Sequence, residues 1–225
     1  MKARCNNVFD CLDESDESVC EPFSIEKNKY KKTFPPITGS NKTIINIRIA
    51  VNDISNINEL AMTFTSEVQI FLTWRDERIT FRNLAHSKKL LSKDWHDQIW
   101  LPPLYFGNSK GSTQILSSNF IKVFIIPHGQ PLLNKISELN EANIFKGEEN
   151  DLELSSWNEL TFKCNFELWR YPFDVQKCSV EVSIPSDLRN YTLLNPIGFI
   201  YTGIFNLIMQ IENFGILKPF FLNCR

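Results

Sequence analysis

The sequence of 225 residues predicts an all-β fold, and three observations support this prediction. Apolar and polar residues alternate with period 2, as in half-buried strands, over residues 45–51, 60–74 and 179–184. Strand-like sequence also flanks a short segment bounded by Cys164 and Cys178. The length, together with 43% hydrophobic residues, suits a single β-sandwich domain with a substantial core.

Composition narrows the class of protein. A net charge of −2 gives no indication of nucleic-acid binding, and six cysteines without a Cys-x-x-Cys motif favour an oxidising compartment. The sequons at Asn41 and Asn190 point the same way and predict N-glycosylation. Residues 1–5 offer no apolar stretch for a secretion signal. The most apolar tract, 197–209, is shorter than the roughly 20 residues that a spanning helix needs, so the chain as given is not expected to form a pore.

Residues 1–20 are dense in acid and cysteine, so an apolar core cannot hold them together and crosslinks must do so. The run that starts at Asp10 and ends at Cys20 resembles the second half of a low-density-lipoprotein-receptor class A repeat. That resemblance implies a Cys5–Cys20 disulfide and a bound calcium ion, which takes six or more oxygen ligands. The implied side-chain ligands of Ca²⁺ are Asn6, Asp10, Asp16 and Glu17. The first three cysteines of the repeat are absent, and a solvated acidic leader is the alternative interpretation.

The rest of the chain reads as a linker followed by the main domain. Residues 21–42 are rich in lysine and interrupted by proline and glycine, which predicts a linker with at most one short helix. The main domain, 43–225, opens with the alternating strands. Residues 115–126 are apolar in both phases and predict a strand buried on both faces. Residues 134–158, rich in Glu and Asn, predict a surface loop, and 201–211 predict a last strand.

Three motifs occur in order along the main domain. They are Trp74-x-Asp76, Trp100-x-Pro102 with its Asn108-Ser109-Lys110 ending, and Cys164 to Cys178. In the last motif, thirteen residues separate the cysteines around an aromatic-Pro-aromatic-Asp tip that a glutamine follows. Together the motifs resemble the Cys-loop receptor superfamily, the pentameric neurotransmitter-gated ion channels. The Asn-Ser-Lys ending favours the anion-conducting members, and we expect Trp74 in the core and Asp76 in an intramolecular salt bridge.

The resemblance implies an immunoglobulin-like β-sandwich of about ten strands with a Cys164–Cys178 disulfide. In that family the ligand lies at the seam between adjacent subunits of a pentamer, and the loop between the cysteines rests on the membrane domain. The implied coupling residues are Tyr171, Pro172, Phe173 and Asp174. A small-molecule ligand and partner subunits of the same family are therefore expected. The implied location is the extracellular face of the plasma membrane, or outside the cell for a chain that is complete as given.

The ligand-facing positions of the family carry unusual residues in this chain. Counting back from Trp74, Gln69 stands where many subunits have an aromatic residue, and Phe71 stands where several amino-acid receptors have an arginine. The other ligand-facing positions implied by the resemblance are Tyr105, Asn108, Tyr191 and Tyr201. These departures weaken the case for acetylcholine or γ-aminobutyrate as the ligand.

Nothing in the sequence indicates an enzyme. The three histidines have no metal-ligand spacing, and the chain lacks a nucleophile elbow, a glycine-rich phosphate loop and an activated Cys-His pair. One remaining class is the ligand-binding domain of a channel subunit. The other is a secreted soluble binding protein or a non-gating accessory subunit, which needs no membrane helices. The apolar tip Tyr171–Phe173 favours the first class, because such a tip would face water in a soluble protein.

Overall fold

The computed structural model describes residues 11–12, 21–37, 42–84, 87–111, 121–132, 143–170, 175–176, 178–201, 208–211 and 222–223. Within these residues the chain is almost wholly β, with one short helix, α1 (Lys93–His96), and one 3-10 turn at Leu168–Arg170. The strands are β1 (Phe23–Ile25), β2 (Thr43–Asn58), β3 (Thr63–Trp74), β4 (Ile79–Arg82), β5 (Lys89–Leu91), β6 (Tyr105–Phe106), β7 (Ile121–Ile126), β8 (Ile144–Lys146), β9 (Asp151–Lys163), β10 (Val175–Gln176), β11 (Ser179–Ser183), β12 (Thr192–Tyr201), β13 (Ile208–Ile211) and β14 (Leu222–Asn223). The predicted all-β fold is confirmed. None of the described helices is long and apolar enough to cross a membrane.

The described strands form four sheets. The largest has six strands in the order β12-β2-β3-β9-β7-β5. Two sheets of three strands have the orders β13-β11-β6 and β1-β4-β8, and the fourth sheet pairs β10 with β14. The described residues divide into two compact units. The first unit takes its residues from 1–43, 73–100 and 123–153, and the second takes its residues from 44–72, 101–122 and 154–225.

Aromatic side chains form the core of the first unit. Phe81 of β4 pairs with Phe23 of β1 on one side and with Phe145 of β8 on the other, and all three side chains are buried. Trp74 packs edge-on against Trp100, with ring centroids 6.2 Å apart. Since aromatic side chains bury large apolar areas, these contacts hold the unit together.

Two segments that the sequence assigns to a linker and a surface loop contain strands of this unit. Within 21–42, the first strand β1 pairs with β4, and Phe23 is only 2% exposed. Within 134–158, strand β8 pairs with β4, and β9 begins at Asp151. A strand of three residues is too short for a period-2 pattern, so the polar neighbours dominated the interpretation of both segments.

Strand β7 is buried on one face only, which corrects the prediction of burial on both. Val123 and Ile125 are fully buried, whereas Phe124 on the opposite face is half-buried. The Lys88 ammonium lies 4.0 Å from the centroid of the Phe124 ring and also pairs with Glu153. A cation–π contact therefore covers this apolar side chain in place of a second core.

The second unit is a β-sandwich. One layer belongs to β12-β2-β3-β9 and the other is β13-β11-β6. Phe162 of β9 contacts Phe64 of β3, with ring centroids 5.5 Å apart, and Phe106 of β6 in the opposite layer, with centroids 5.6 Å apart. The alternate residues Ile45 and Ile47 of β2 are fully buried toward the same core. The predicted immunoglobulin-like sandwich fold is thus confirmed.

Candidate functional site

The loop between Cys164 and Cys178 has a fixed base. The predicted disulfide is confirmed, with the two Cα atoms 5.3 Å apart and both side chains nearly fully buried. The buried amide of Gln176 accepts the Glu167 N–H at 2.8 Å and donates to the Glu167 carbonyl at 3.1 Å. A covalent bond and a side-chain clamp therefore join the two arms. The predicted coupling residues Tyr171, Pro172, Phe173 and Asp174 lie outside the described residues.

An apolar side chain precedes the tip residues of this loop by two positions in the sequence. Trp169, in the 3-10 turn, is 73% exposed. A single exposed apolar side chain is ordinary on a protein surface, so the exposure of Trp169 does not by itself mark a contact surface.

The Trp74-x-Asp76 motif is structural, as the sequence predicts. Trp74 is 1% exposed and Asp76 is fully buried. The Arg78 guanidinium donates to the two Asp76 carboxylate oxygens at 2.8 and 2.7 Å, which confirms the predicted salt bridge. The Tyr30 hydroxyl donates to the same carboxylate at 3.1 Å and accepts the Trp100 N–H at 2.8 Å.

The charges in this cluster shift two pKa values. Burial, and then the charge of Asp76, raise the pKa of the Tyr30 phenol above its usual range. Burial alone would lower the pKa of Arg78, but the hydrogen bonds and charge of Asp76 outweigh it and raise that pKa. The cluster therefore combines a neutral phenol with the Arg78–Asp76 ion pair, which suits a structural role.

Two predicted ligand positions share one face of β3 in the second unit. Val68, Ile70 and Leu72 of β3 are buried, so the alternate residues Gln69 and Phe71 lie on the opposite face, where they are half-buried. We call this side of β12-β2-β3-β9 the outward face. The Gln69 amide donates to the Ser155 hydroxyl of β9 at 3.3 Å.

Arg48 of β2 is a member of this face that the sequence reasoning missed. Its guanidinium carbon lies 4.3 Å from the centroid of the Phe71 ring. The alternation within β2 predicts that Arg48 lies on the face opposite to the buried Ile47 and Ile49. This alternation does not predict which residue of the neighbouring strand Arg48 contacts.

The predicted positions Tyr105 and Asn108 lie at the other layer of the sandwich. Tyr105 of β6 pairs with Ser183 of β11 and is half-buried. The Asn108 side chain makes three hydrogen bonds to the backbone: it donates to the carbonyls of Lys163 and Ser179 at 3.2 and 2.6 Å and accepts the Glu181 N–H at 3.0 Å. Asn108 thus ties β9 to β11, and both N–H donors of its amide are used within the fold.

The remaining predicted positions are dispersed or lie outside the described residues. Tyr191 is 40% exposed in the turn before β12, and Tyr201 is the last residue of β12. Asn190 is exposed in the same turn, whereas Thr192 of its sequon is buried with its hydroxyl bonded to the Leu188 carbonyl at 2.8 Å. The predicted positions outside the described residues are Cys5, Asn6, Asp10, Asp16, Glu17, Cys20 and Asn41.

Comparison with known protein families agrees with this geometry. The family model for the neurotransmitter-gated ion-channel ligand binding domain matches residues 24–186. The chain belongs to this family. This neurotransmitter-gated ion-channel ligand-binding domain has the disulfide and the buried Trp74 and Asp76 that the motifs predict, and its family is a class of ion channels and not of enzymes. The match does not reach residues 1–20, so their resemblance to a class A repeat stays a prediction.

Curated relatives are receptor subunits. The γ-aminobutyric acid receptor subunit beta-4 of Gallus gallus is 28% identical over 68% of this ligand-binding domain chain and 27% of the relative. The γ-aminobutyric acid receptor subunit theta of Mus musculus is 23% identical over 78% of this chain and 24% of the relative. Subunit rho-2 of Rattus norvegicus is 24% identical over 67% of this chain and 28% of the relative. The chain spans about a quarter of the length of these relatives.

Proposed function

We propose that this chain is the extracellular ligand-binding domain of one subunit of a pentameric ligand-gated ion channel of the anion-conducting type. The match of residues 24–186 to the ligand-binding domain family carries the proposal. Similarity to three γ-aminobutyric acid receptor subunits supports the receptor class, and the Asn108-Ser109-Lys110 motif supports the anion-conducting branch. A small-molecule ligand at subunit interfaces and partner subunits of the same family are part of the proposal.

The loop closed by Cys164 and Cys178 is the proposed route from ligand to pore. The disulfide and the Gln176 clamp give the loop a rigid base, and the exposed Trp169 precedes the tip residues in the sequence. The proposed coupling residues are Tyr171, Pro172, Phe173 and Asp174. A ligand shifts the closed-to-open equilibrium only by the difference between its affinities for the two states. A rigid base allows the conformational change that the ligand favours to move the tip, because flexible arms would absorb the displacement.

A domain exchange tests the proposal. Residues 24–186 replace the matched region of the chicken beta-4 subunit, and the chimera is expressed in oocytes for voltage-clamp recording. We expect a small neurotransmitter to evoke current, and we expect Trp169→Ser to reduce that current without reducing surface expression. A chimera that reaches the surface, measured by biotinylation, but responds to no member of a transmitter panel contradicts the gating role and favours the accessory-subunit alternative.

Two peripheral sites complete the proposal. We expect N-glycans at Asn190, which is exposed, and at Asn41, and a mobility shift on glycosidase treatment that Asn190→Gln reduces by one step would support the first. Calcium is proposed only for residues 1–20, and calcium titration of the chain against Asp16→Asn tests it. Equal heats for both proteins would contradict that site.

A further inference from the structure

A polar cavity of about 330 Å³ lies within the first unit and is partly open to solvent. Strand β1 and the turn that follows it form one side, and β4 with the residues just before it forms the other. The residues that line it include the charged Glu26, Lys29 and Glu77 and the hydroxyl-bearing Ser24 and Thr80. Small-molecule sites have volumes of roughly 300 to 1,000 Å³, so this cavity suits a ligand of few non-hydrogen atoms.

The pairing of β1 with β4 places two hydroxyl groups in the cavity. Ser24 is directly paired with Thr80, and the neighbouring pair of Phe23 and Phe81 is buried in the core of the unit. Because successive side chains of a strand point to opposite faces, Ser24 and Thr80 lie on the face away from that core, where they line the cavity. Within the described part of the chain neither hydroxyl is hydrogen-bonded, so both are available to a ligand.

The cavity also carries an available cation and an available carboxylate. The Lys29 ammonium pairs with Glu26 at 2.6 Å, but an ammonium has three N–H donors and two of them remain. Glu77 forms no salt bridge with another residue that the structure describes. The adjacent Arg78 does not neutralise Glu77, since its guanidinium is bonded to both carboxylate oxygens of the buried Asp76.

One wall of the cavity is fixed before any ligand arrives. The Tyr30 hydroxyl donates to the Asp76 carboxylate at 3.1 Å, and the Arg78 guanidinium lies 4.4 Å from the centroid of the Tyr30 ring. Arg78 also donates to the carbonyls of Lys31 and Phe34 at 3.3 and 3.0 Å. These bonds hold the chain after the β1 turn against the residues before β4. A preformed wall lowers the entropy that a ligand must overcome on binding.

We propose that this cavity binds a small zwitterion, with its ammonium group beside Glu77 and its acidic group between Lys29 and the two hydroxyls. A simple cation would be repelled by Lys29, and a simple anion would be repelled by Glu26 and Glu77. A zwitterion meets a complementary charge at each end, which is the arrangement that gives specificity in polar sites. The site lies within one unit of a single chain, so it does not depend on the proposed channel function.

Nuclear magnetic resonance of the backbone amides tests the proposal directly. The whole chain is titrated with glycine and β-alanine, and in parallel with acetate, methylamine and an equimolar mixture of the two. We expect both zwitterions to shift the amide signals of Ser24 and Thr80 saturably, and we expect the singly charged compounds to leave these signals unchanged at equal concentration. Signals that no zwitterion shifts, or that acetate or methylamine shifts as strongly as glycine, would overturn the proposal.

Variants of the two charged groups give an independent measurement. Glu77→Gln and Lys29→Gln should each weaken glycine binding by roughly threefold to fivefold, the value of a solvent-exposed ion pair. Glu77→Lys places a like charge beside the ligand ammonium and should weaken binding roughly tenfold or more. The matched controls are Asp94→Asn and Lys27→Gln, which are exposed and lie outside the cavity lining, and both should leave the affinity unchanged.

The two proposals fail in different ways. Glycine binding that Glu77→Lys does not weaken refutes the zwitterion site and leaves the proposed function standing. Saturable glycine shifts at Ser24 and Thr80 in a chimera that never gates refute the channel function and leave the site standing. Near-ultraviolet circular dichroism of Glu77→Lys verifies that the variant is folded.

Discussion

Replacement of the buried Asp76 by asparagine should destabilise the first unit strongly. Asp76 is fully buried, and its carboxylate accepts hydrogen bonds from the Arg78 guanidinium and the Tyr30 hydroxyl. The Arg78 guanidinium lies 4.4 Å from the centroid of the Tyr30 ring and also donates to the carbonyls of Lys31 and Phe34 at 3.3 and 3.0 Å, but these groups carry no negative charge. Asp76→Asn thus leaves a mostly buried cation without its counter-charge, which costs about 3 to 5 kcal/mol. For a protein of this size the loss corresponds to a fall in Tm of roughly 10 °C.

Urea denaturation followed by tryptophan fluorescence measures this loss, because Trp74 and Trp100 lie in the same unit as Asp76. The matched control is Asp187→Asn in an exposed turn, which should change the free energy of unfolding by less than about 0.5 kcal/mol. A loss below about 1 kcal/mol for Asp76→Asn, the value of an exposed ion pair, would show that water or a rearranged Arg78 compensates the charge and would refute the reasoning.

Three further predictions concern other bonds of the structure. Exchange of both Cys164 and Cys178 for serine opens a loop with a sequence separation of 14 and should cost about 3 kcal/mol, measured by secretion yield and thermal unfolding; normal yield and melting would contradict a structural role. Gln176→Ala should cost about 1 to 3 kcal/mol, since both Glu167 backbone groups lose their partner, and an unchanged hydrogen-exchange rate of the Glu167 amide would count against the clamp. Because the folded pKa of Tyr30 is raised, its neutral phenol stabilises the fold fully below pH about 10, and this contribution is lost as the pH rises through the folded pKa. Tyr30→Phe should flatten the loss of stability above pH about 10 in parallel pH titrations, and identical slopes for the two proteins would contradict it.

The sequence predicted those parts of the fold that a local pattern can specify. The alternation over residues 45–51 placed Ile45 and Ile47 in the core, and the resemblance carried by the motif around Cys164 and Cys178 implied the disulfide. It could not predict β1 or β8, because strands of three residues acquire their identity from β4, to which they pair across long sequence distances.

The glycine at position 147 illustrates the same limit. Sequence polarity placed it in a surface loop, yet a Cβ atom there would overlap the carbonyl oxygens of Asp76 and Ile79. That close approach arises only when β8 pairs with β4, and it requires a residue without a side chain.

For the candidate ligand positions, the sequence predicted a shared face but not the neighbour across the strands. Gln69 and Phe71 do share the outward face, as their spacing requires. The contact of Arg48 with Phe71 depends on the register between β2 and β3, and the period of a single strand does not predict that register. Conversely, Asn108 was a plausible ligand contact by type, but in the structure both of its side-chain donors and its amide oxygen bond backbone groups.

The bonds of Asn108 make one backbone amide a reporter of sliding between the two layers of the sandwich. The Glu181 N–H of β11 is bound to the Asn108 side chain, which also holds the Lys163 carbonyl at the end of β9. Hydrogen bonds weaken steeply when donor and acceptor lose their alignment, so a small displacement of β9 against β11 would expose that amide to solvent. Its exchange rate, followed with and without ligand, would register relative motion of the two sheets at a single assigned position.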